Sequence, residues 1–165
     1  MSDDEIPDDF VVPDDLSSLL EGGTEQPSVA LLLTPVAAAA PLAATCVIAE
    51  VGADVVLSDV GAIAVLRDRS ASRAAASAVS RLLRQLPIVL LERREGQITA
   101  TRWMAGAQQG DDLPPGLVLS DAPAVLEDLL LGSVEVDSLD GVVSTDGISR
   151  WKALRMITSA GKPKK

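Results

Sequence analysis

The spacing of apolar and polar positions changes several times along this chain, and each change predicts an element. Residues 28–34, SVALLLT, form a short unbroken apolar run of strand length, the pattern of a central strand covered on both faces. Pro35 ends it. Pro41 suits the first turn of a following helix, Leu42 to Val51, with Gly52 as its stop. That helix is apolar almost all round and should pack inside the core. Next comes DVVLSDVGAIAVLRD, a hairpin turning near Asp59–Gly61, and then SASRAAASAVSRLLRQL, a helix from Ser70 to Leu86. PIVLLERREGQITATRW follows as a second hairpin turning at Arg94-Glu95-Gly96. Through Glu92 this is the β-α-β-β-α-β order of a ferredoxin-like unit, with an extra strand at 97–103. The expected fold is α+β, mixed helix and sheet, extended by C-terminal helices.

After Trp103 the pattern predicts a long flexible loop, MAGAQQGDDLPPG, and a strand at GLVLSD (116–121). Ser120 or Asp121 would cap a helix carrying Pro123 in its first turn and stopping at Gly132. VEVD (134–137) reads as a short strand and DGVVSTDG as a turn-rich connector. A last helix, Ile148 to Ala160, would bury Ile148, Trp151, Ile157 and either Leu154 or Met156, with Arg150, Lys152 and Arg155 outward.

The ends differ from this middle. Residues 1–27 carry nine acids and no base, are punctuated by proline and close on Gly22-Gly23. They read as an acidic flexible tail. Apolar residues nevertheless interrupt the aspartates, Phe10 and Leu16 among them, and acidic–hydrophobic alternation marks segments that dock onto partners. The plain alternative is a solubilising tail whose few apolar residues pack on its own domain. Residues 28–160 then form a single α/β domain, and 161–165 a short basic tail.

Composition narrows the chemistry. Hydrophobic residues make up 47% of the 165, which excludes wholesale disorder, while aromatics are only Phe10, Trp103 and Trp151, so the core must be aliphatic. The scarcity of residues with AT-rich codons suggests a high-GC bacterial genome. There is no histidine, which removes Ser-His-Asp and Cys-His nucleophile pairs and every His-containing zinc site. Cys46 has no second cysteine to pair with and reads as a small buried hydrophobe.

The net charge of −10 falls in blocks. Residues 67–102 hold eight arginines against three acids; residues 103–149 hold nine acids and no base. Nucleic acid is disfavoured as a partner, because that affinity rests on neutralising phosphates and most of this chain repels them. Residues 26–49 carry no charge, but Pro35 and Pro41 interrupt the run and no basic flank adjoins it, so neither a membrane span nor a secretory signal is expected. The reading is cytoplasmic.

Three constellations remain. Arg73, Ser77, Ser80, Arg81 and Arg84 fall on one face at helical spacing, with Arg67, Arg69, Arg93, Arg94 and Arg102 on flanking segments. Guanidinium groups suit bidentate capture of carboxylates. A solvated face is the plain alternative. Second, an apolar run ending in Ser-Asp or Thr-Asp recurs, placing Asp59, Asp121 and Asp146 where strand-end carboxylates could hold a metal ion or act as a base. The same residues are ordinary turn formers. Third, DSLDGVVSTDG lacks the glycine and ligand spacing of a calcium loop, and no phosphate-binding glycine loop occurs.

The reading favoured is a non-enzymatic protein-binding module, regulatory, adaptor or chaperone-like, without a cofactor. It would use Arg73, Arg81, Arg84, Arg93 and Arg94 together with Phe10 and Leu16 of the tail. Its counterpart is a protein partner, the chain's own acidic tail, or a second copy in a homodimer. The alternative is a small-molecule-binding domain or a carboxylate- and metal-dependent enzyme at the strand-end aspartates.

Overall fold

The computed structural model describes residues 27–160. Phe10 and Leu16 therefore lie outside the described residues, as do the rest of the acidic segment and the basic end.

Four strands and two helices follow one another as expected: β1 (Val29–Leu33), α1 (Ala39–Ile48), β2 (Ala53–Ser58), β3 (Gly61–Leu66), α2 (Ser72–Leu82) and β4 (Ile88–Arg94). β5 (Gln97–Met104) and two two-residue strands, β6 (Ala107–Gln108) and β7 (Val143–Ser144), complete a sheet ordered β6-β5-β4-β1-β3-β2-β7. Every pairing in it is antiparallel, so the fold is α+β. β1 occupies the centre, consistent with its unbroken apolar sequence.

Alternation along the strands sends two sets of side chains to two faces. Ala30, Leu32, Val55, Ala62, Ala64, Ile88 and Leu90 meet α1 and α2. The alanines on this face let the helix backbones approach closely. α1 is buried through five consecutive residues, Leu42 to Cys46, as its all-round apolarity predicts. Leu31, Val56, Ile63, Leu91 and Ala100 point the other way, against Leu126, Leu129 and Leu130 of the C-terminal segment. That segment is therefore an integral layer of the core.

The tight turns match the sequence reading. Glu95 and Gly96 both have positive φ (49° and 82°), the geometry a two-residue hairpin needs. Between β2 and β3, Ser58 Oγ donates to Gly61 O at 2.7 Å and closes the turn.

Several expectations fail, each for a local reason. α1 stops at Ile48, with Glu50 rather than Gly52 in the left-handed conformation (φ 63°). α2 is preceded by a 3-10 turn, Arg69–Ala71, and ends at Leu82 rather than Leu86. The supposed loop after Trp103 begins as a third hairpin, because Ala105 and Gly106 both take positive φ. GLVLSD is not a strand: Pro114 and Pro115 start a helix, α3 (Pro115–Ser120), with proline at its first position. The next helix, α4 (Ala124–Leu131), is preceded by Pro123 without a side-chain cap, and Gly132 stops it as expected (φ 75°). VEVD gives a 3-10 turn at Val136–Ser138, and the connector supplies β7, paired to Asp54 and Val55. In the final helix, α5 (Arg150–Ala160), Ala153 is fully buried whereas Trp151 is 77% exposed and Leu154 43%.

Candidate partner-binding face

The arginines of residues 67–102 do not form one patch. Strand alternation and local pairing divide them into groups with different roles.

α2 carries its arginines on a helix whose inner face is Ser72, Ala75, Ala76, Val79 and Ser80. Its serines are structural. Ser77 Oγ donates to Gly106 O at 2.7 Å, and Ser80 Oγ, fully buried, accepts from Gly106 N at 2.9 Å. Both tie α2 to the β5–β6 turn, so the serines predicted on the solvated arginine face hold the helix in place. Arg81 lies across that turn: a Cβ on Gly106 would come 3.1 Å from its Nε.

Arg73 and Arg94 converge on Glu92, whose side chain is 1% exposed. Glu92 Oε1 accepts from Ser72 Oγ at 2.6 Å and from Arg94 Nη2 at 2.8 Å; Arg73 Nε stands 3.8 Å from Oε2. A carboxylate this deep needs such partners, because an unpaired buried charge is far costlier than the pair. Arg93, one residue along β4, points to the opposite face, where its Nη1 donates to Leu131 O at 2.9 Å and to Leu130 O at 3.4 Å. These are the unpaired carbonyls at the end of α4. Arg67 has a third role. It donates to Asp54 and Ser144, each at 2.6 Å, and pairs with Asp146, pinning β7 to β2. The hydrogen bond to Asp54, with Asp146 adding to it, raises its pKa further above the ordinary arginine value.

Arg69 donates to Ser28 O at 2.9 Å, and Arg102, in β5 opposite Val89, faces away from α2. That leaves Arg81 and Arg84. Both are exposed, and among the described residues neither has a carboxylate within 4 Å. Arg81 Nη2 donates only to Ser77 Oγ, at 3.2 Å. Arg84 sits just beyond the helix end, in the turn that leads to β4.

The strand-end aspartates are not brought together. Asp59 follows the far end of β2, whereas Asp146 meets Arg67 near its start, some 15–20 Å away at strand rise. Asp121 caps α3 in the layer on the other side of the sheet. Among the described residues no group of three acidic or cysteine side chains could hold a metal ion. Cys46 lies in the core of α1, where burial pushes its thiol up to about 12. It is not a nucleophile at neutral pH. No helix among the described residues is long and apolar enough to cross a membrane.

The sequence signal that separates these arginines was available for Arg93 and Arg94. Adjacent residues in a strand face opposite ways, so they could not share one surface. The convergence of Arg73 and Arg94 on Glu92 depends on how α2 lies over β4, which no spacing rule supplies. No protein-family model, no curated protein and no solved structure matches the chain.

Proposed function

We propose that this chain is a non-enzymatic protein-binding module of regulatory or adaptor type, working in the cytoplasm. Its contact face is centred on Arg81 and Arg84. The observation that carries this reading is that these two guanidinium groups, three residues apart beside the end of α2, lack carboxylate partners among the described residues, while Arg67, Arg73 and Arg94 are paired. Such groups, one on α2 and one in the turn that follows it, suit an acidic polypeptide, because each presents a planar fork to a carboxylate. Arg73, half-exposed, extends the face along the helix; Arg93 and Arg94 support the fold. The acidic N-terminal segment, which carries Phe10 and Leu16, is a second recognition element, engaging either a partner or the chain's own domain. A second copy of the chain, joined as a homodimer, is one candidate partner.

Affinity purification with the wild type and with an Arg81→Glu, Arg84→Glu variant tests this. A partner retained by the wild type, lost from the variant and weakened by salt is the expected result. Identical partner sets from both proteins would overturn it.

The alternative, a carboxylate- and metal-dependent site, has no comparable support. Its three aspartates belong to separate parts of the fold.

A further inference from the structure

A second surface lies on the sheet face opposite α2. The end of β1, the β2–β3 turn, the start of β4 and the end of β5 enclose a cleft of about 420 Å³, within the range of small-ligand and side-chain pockets. Its walls are apolar: Leu33, Pro35, Val60, Pro87, Val89 and Met104. Val60 is 46% exposed, high for a valine facing a cleft. The α3–α4 layer, which covers the rest of this face, contributes none of the lining.

The polar chemistry of the cleft reduces to one group. Proline supplies no N–H at two places on the wall. Thr34 is used up, its hydroxyl donating to Ala62 O at 2.9 Å and accepting from Val36 N at 3.2 Å. Arg102 is left, exposed, with no ion pair or side-chain hydrogen bond among the described residues. The occupant this surface fits is an apolar body with a carboxylate beside it.

We propose that the occupant is the chain's own N-terminal segment, with Phe10, Val11 and Val12 in the cleft and a neighbouring aspartate on Arg102. The sequence DDFVVPDD, residues 8–15, places carboxylates on both sides of three apolar residues and carries no base to oppose Arg102. Reach is sufficient. The cleft lies one strand length, about 17 Å, from the start of β1, and the residues between Phe10 and Pro27 span up to about 55 Å when extended. Attachment to the same chain also supplies a local concentration of about millimolar, so a weak contact is populated. This contact is separate from the Arg81–Arg84 face and stands or falls independently of it.

The test uses the full chain with Ser17→Cys carrying a nitroxide label. Cys46 is buried with its thiol pushed up to about 12, so labelling at neutral pH goes to the new thiol. The label should cause loss of amide signal at Val60, Val89 and Met104, with the signal restored by Arg102→Glu and, separately, by Phe10→Ser. Arg102 is exposed and outside the core clusters, and an unchanged amide spectrum elsewhere confirms the fold of both variants. Loss confined to α2, or no loss at all, would overturn the proposal. Loss of the same size when nitroxide-labelled chains are mixed with separate isotope-labelled chains would also overturn it, since the occupant would then be a second copy.

Discussion

Ser72 Oγ donates to the buried carboxylate of Glu92 across 2.6 Å, and this contact joins the first turn of α2 to the middle of the sheet. Its effect reaches the functional reading. With Glu92 as its partner Arg94 becomes part of the fold and Arg73 is drawn towards the sheet, which leaves Arg81 and Arg84 as the arginines around the end of α2 without a carboxylate partner among the described residues.

Ser72→Ala removes one of the two hydrogen bonds to Glu92 Oε1. The second carboxylate oxygen accepts none among the described residues, so the loss is poorly compensated. We expect a cost of about 1.5–3 kcal/mol, the value of a hydrogen bond to a charged group. A lower urea midpoint at unchanged slope checks it. A variant as stable as the wild type would mean that the arginines alone satisfy the carboxylate.

Gly61 starts β3 with φ 133°, and a Cβ there would come 1.9 Å from Thr34 O, a backbone atom that cannot swing aside. Gly61→Ala should therefore destabilise by about 3 kcal/mol or more, from strain and displacement of β1 together. Gly96 also has positive φ but meets nothing within 4 Å, so Gly96→Ala should cost less, about 1 kcal/mol. Thermal unfolding of the pair gives the comparison.

Cys46 makes stability depend on alkaline pH. The thiol stays neutral in the fold up to about 12, against an ordinary value of 9.0. The folded state therefore holds its proton where the unfolded chain releases it. The stabilisation is complete below pH 9 and is lost as pH rises from 9 towards 12. The chain has no tyrosine to titrate in the same window. Cys46→Ala should flatten the fall in the unfolding free energy over that window, although the smaller side chain lowers stability at pH 7.

Arg67 holds β7, which is only two residues long, through Asp54, Ser144 and Asp146. The cluster is partly exposed, so Arg67→Ala should cost only about 0.5–1 kcal/mol globally. Its local effect should be larger. Amide exchange at 143–147 should accelerate in the variant, and 1 M salt should produce part of the same change in the wild type. Unchanged protection there would show that Thr145, whose Oγ1 accepts from Ala53 N at 3.1 Å, holds the segment by itself.

These contacts show which parts of the molecule were legible in its sequence. The hairpins were, because Glu95-Gly96 and the Asp59–Gly61 turn are local signals flanked by alternating residues. The helical face of α1 and the central place of β1 followed from unbroken apolar runs. The C-terminal third was misread where two local rules compete. In PPGLVLSD the apolar content suggests a strand, but Pro115 fixes a helical first residue and the helix wins. In α5 the periodicity placed Trp151 inward, yet α1 is built of small residues and accepts Ala153 at the contact instead. Of the candidate site, helical spacing found Arg73, Arg81 and Arg84 but could not reveal that Ser77 and Ser80 face the β5–β6 turn. Arg102 was grouped with the α2 arginines, although its strand position sends it to the other face.

The central claim is that the surface beside Arg81 and Arg84 binds an acidic protein. A photo-crosslinking amino acid at Gln85, exposed and next to Arg84, reports on that surface in the cell. The account predicts a discrete crosslinked species from Gln85, absent when the same amino acid replaces exposed Asp140 and abolished by Arg81→Glu with Arg84→Glu. No adduct at Gln85, or one undiminished by the charge reversal, would contradict it.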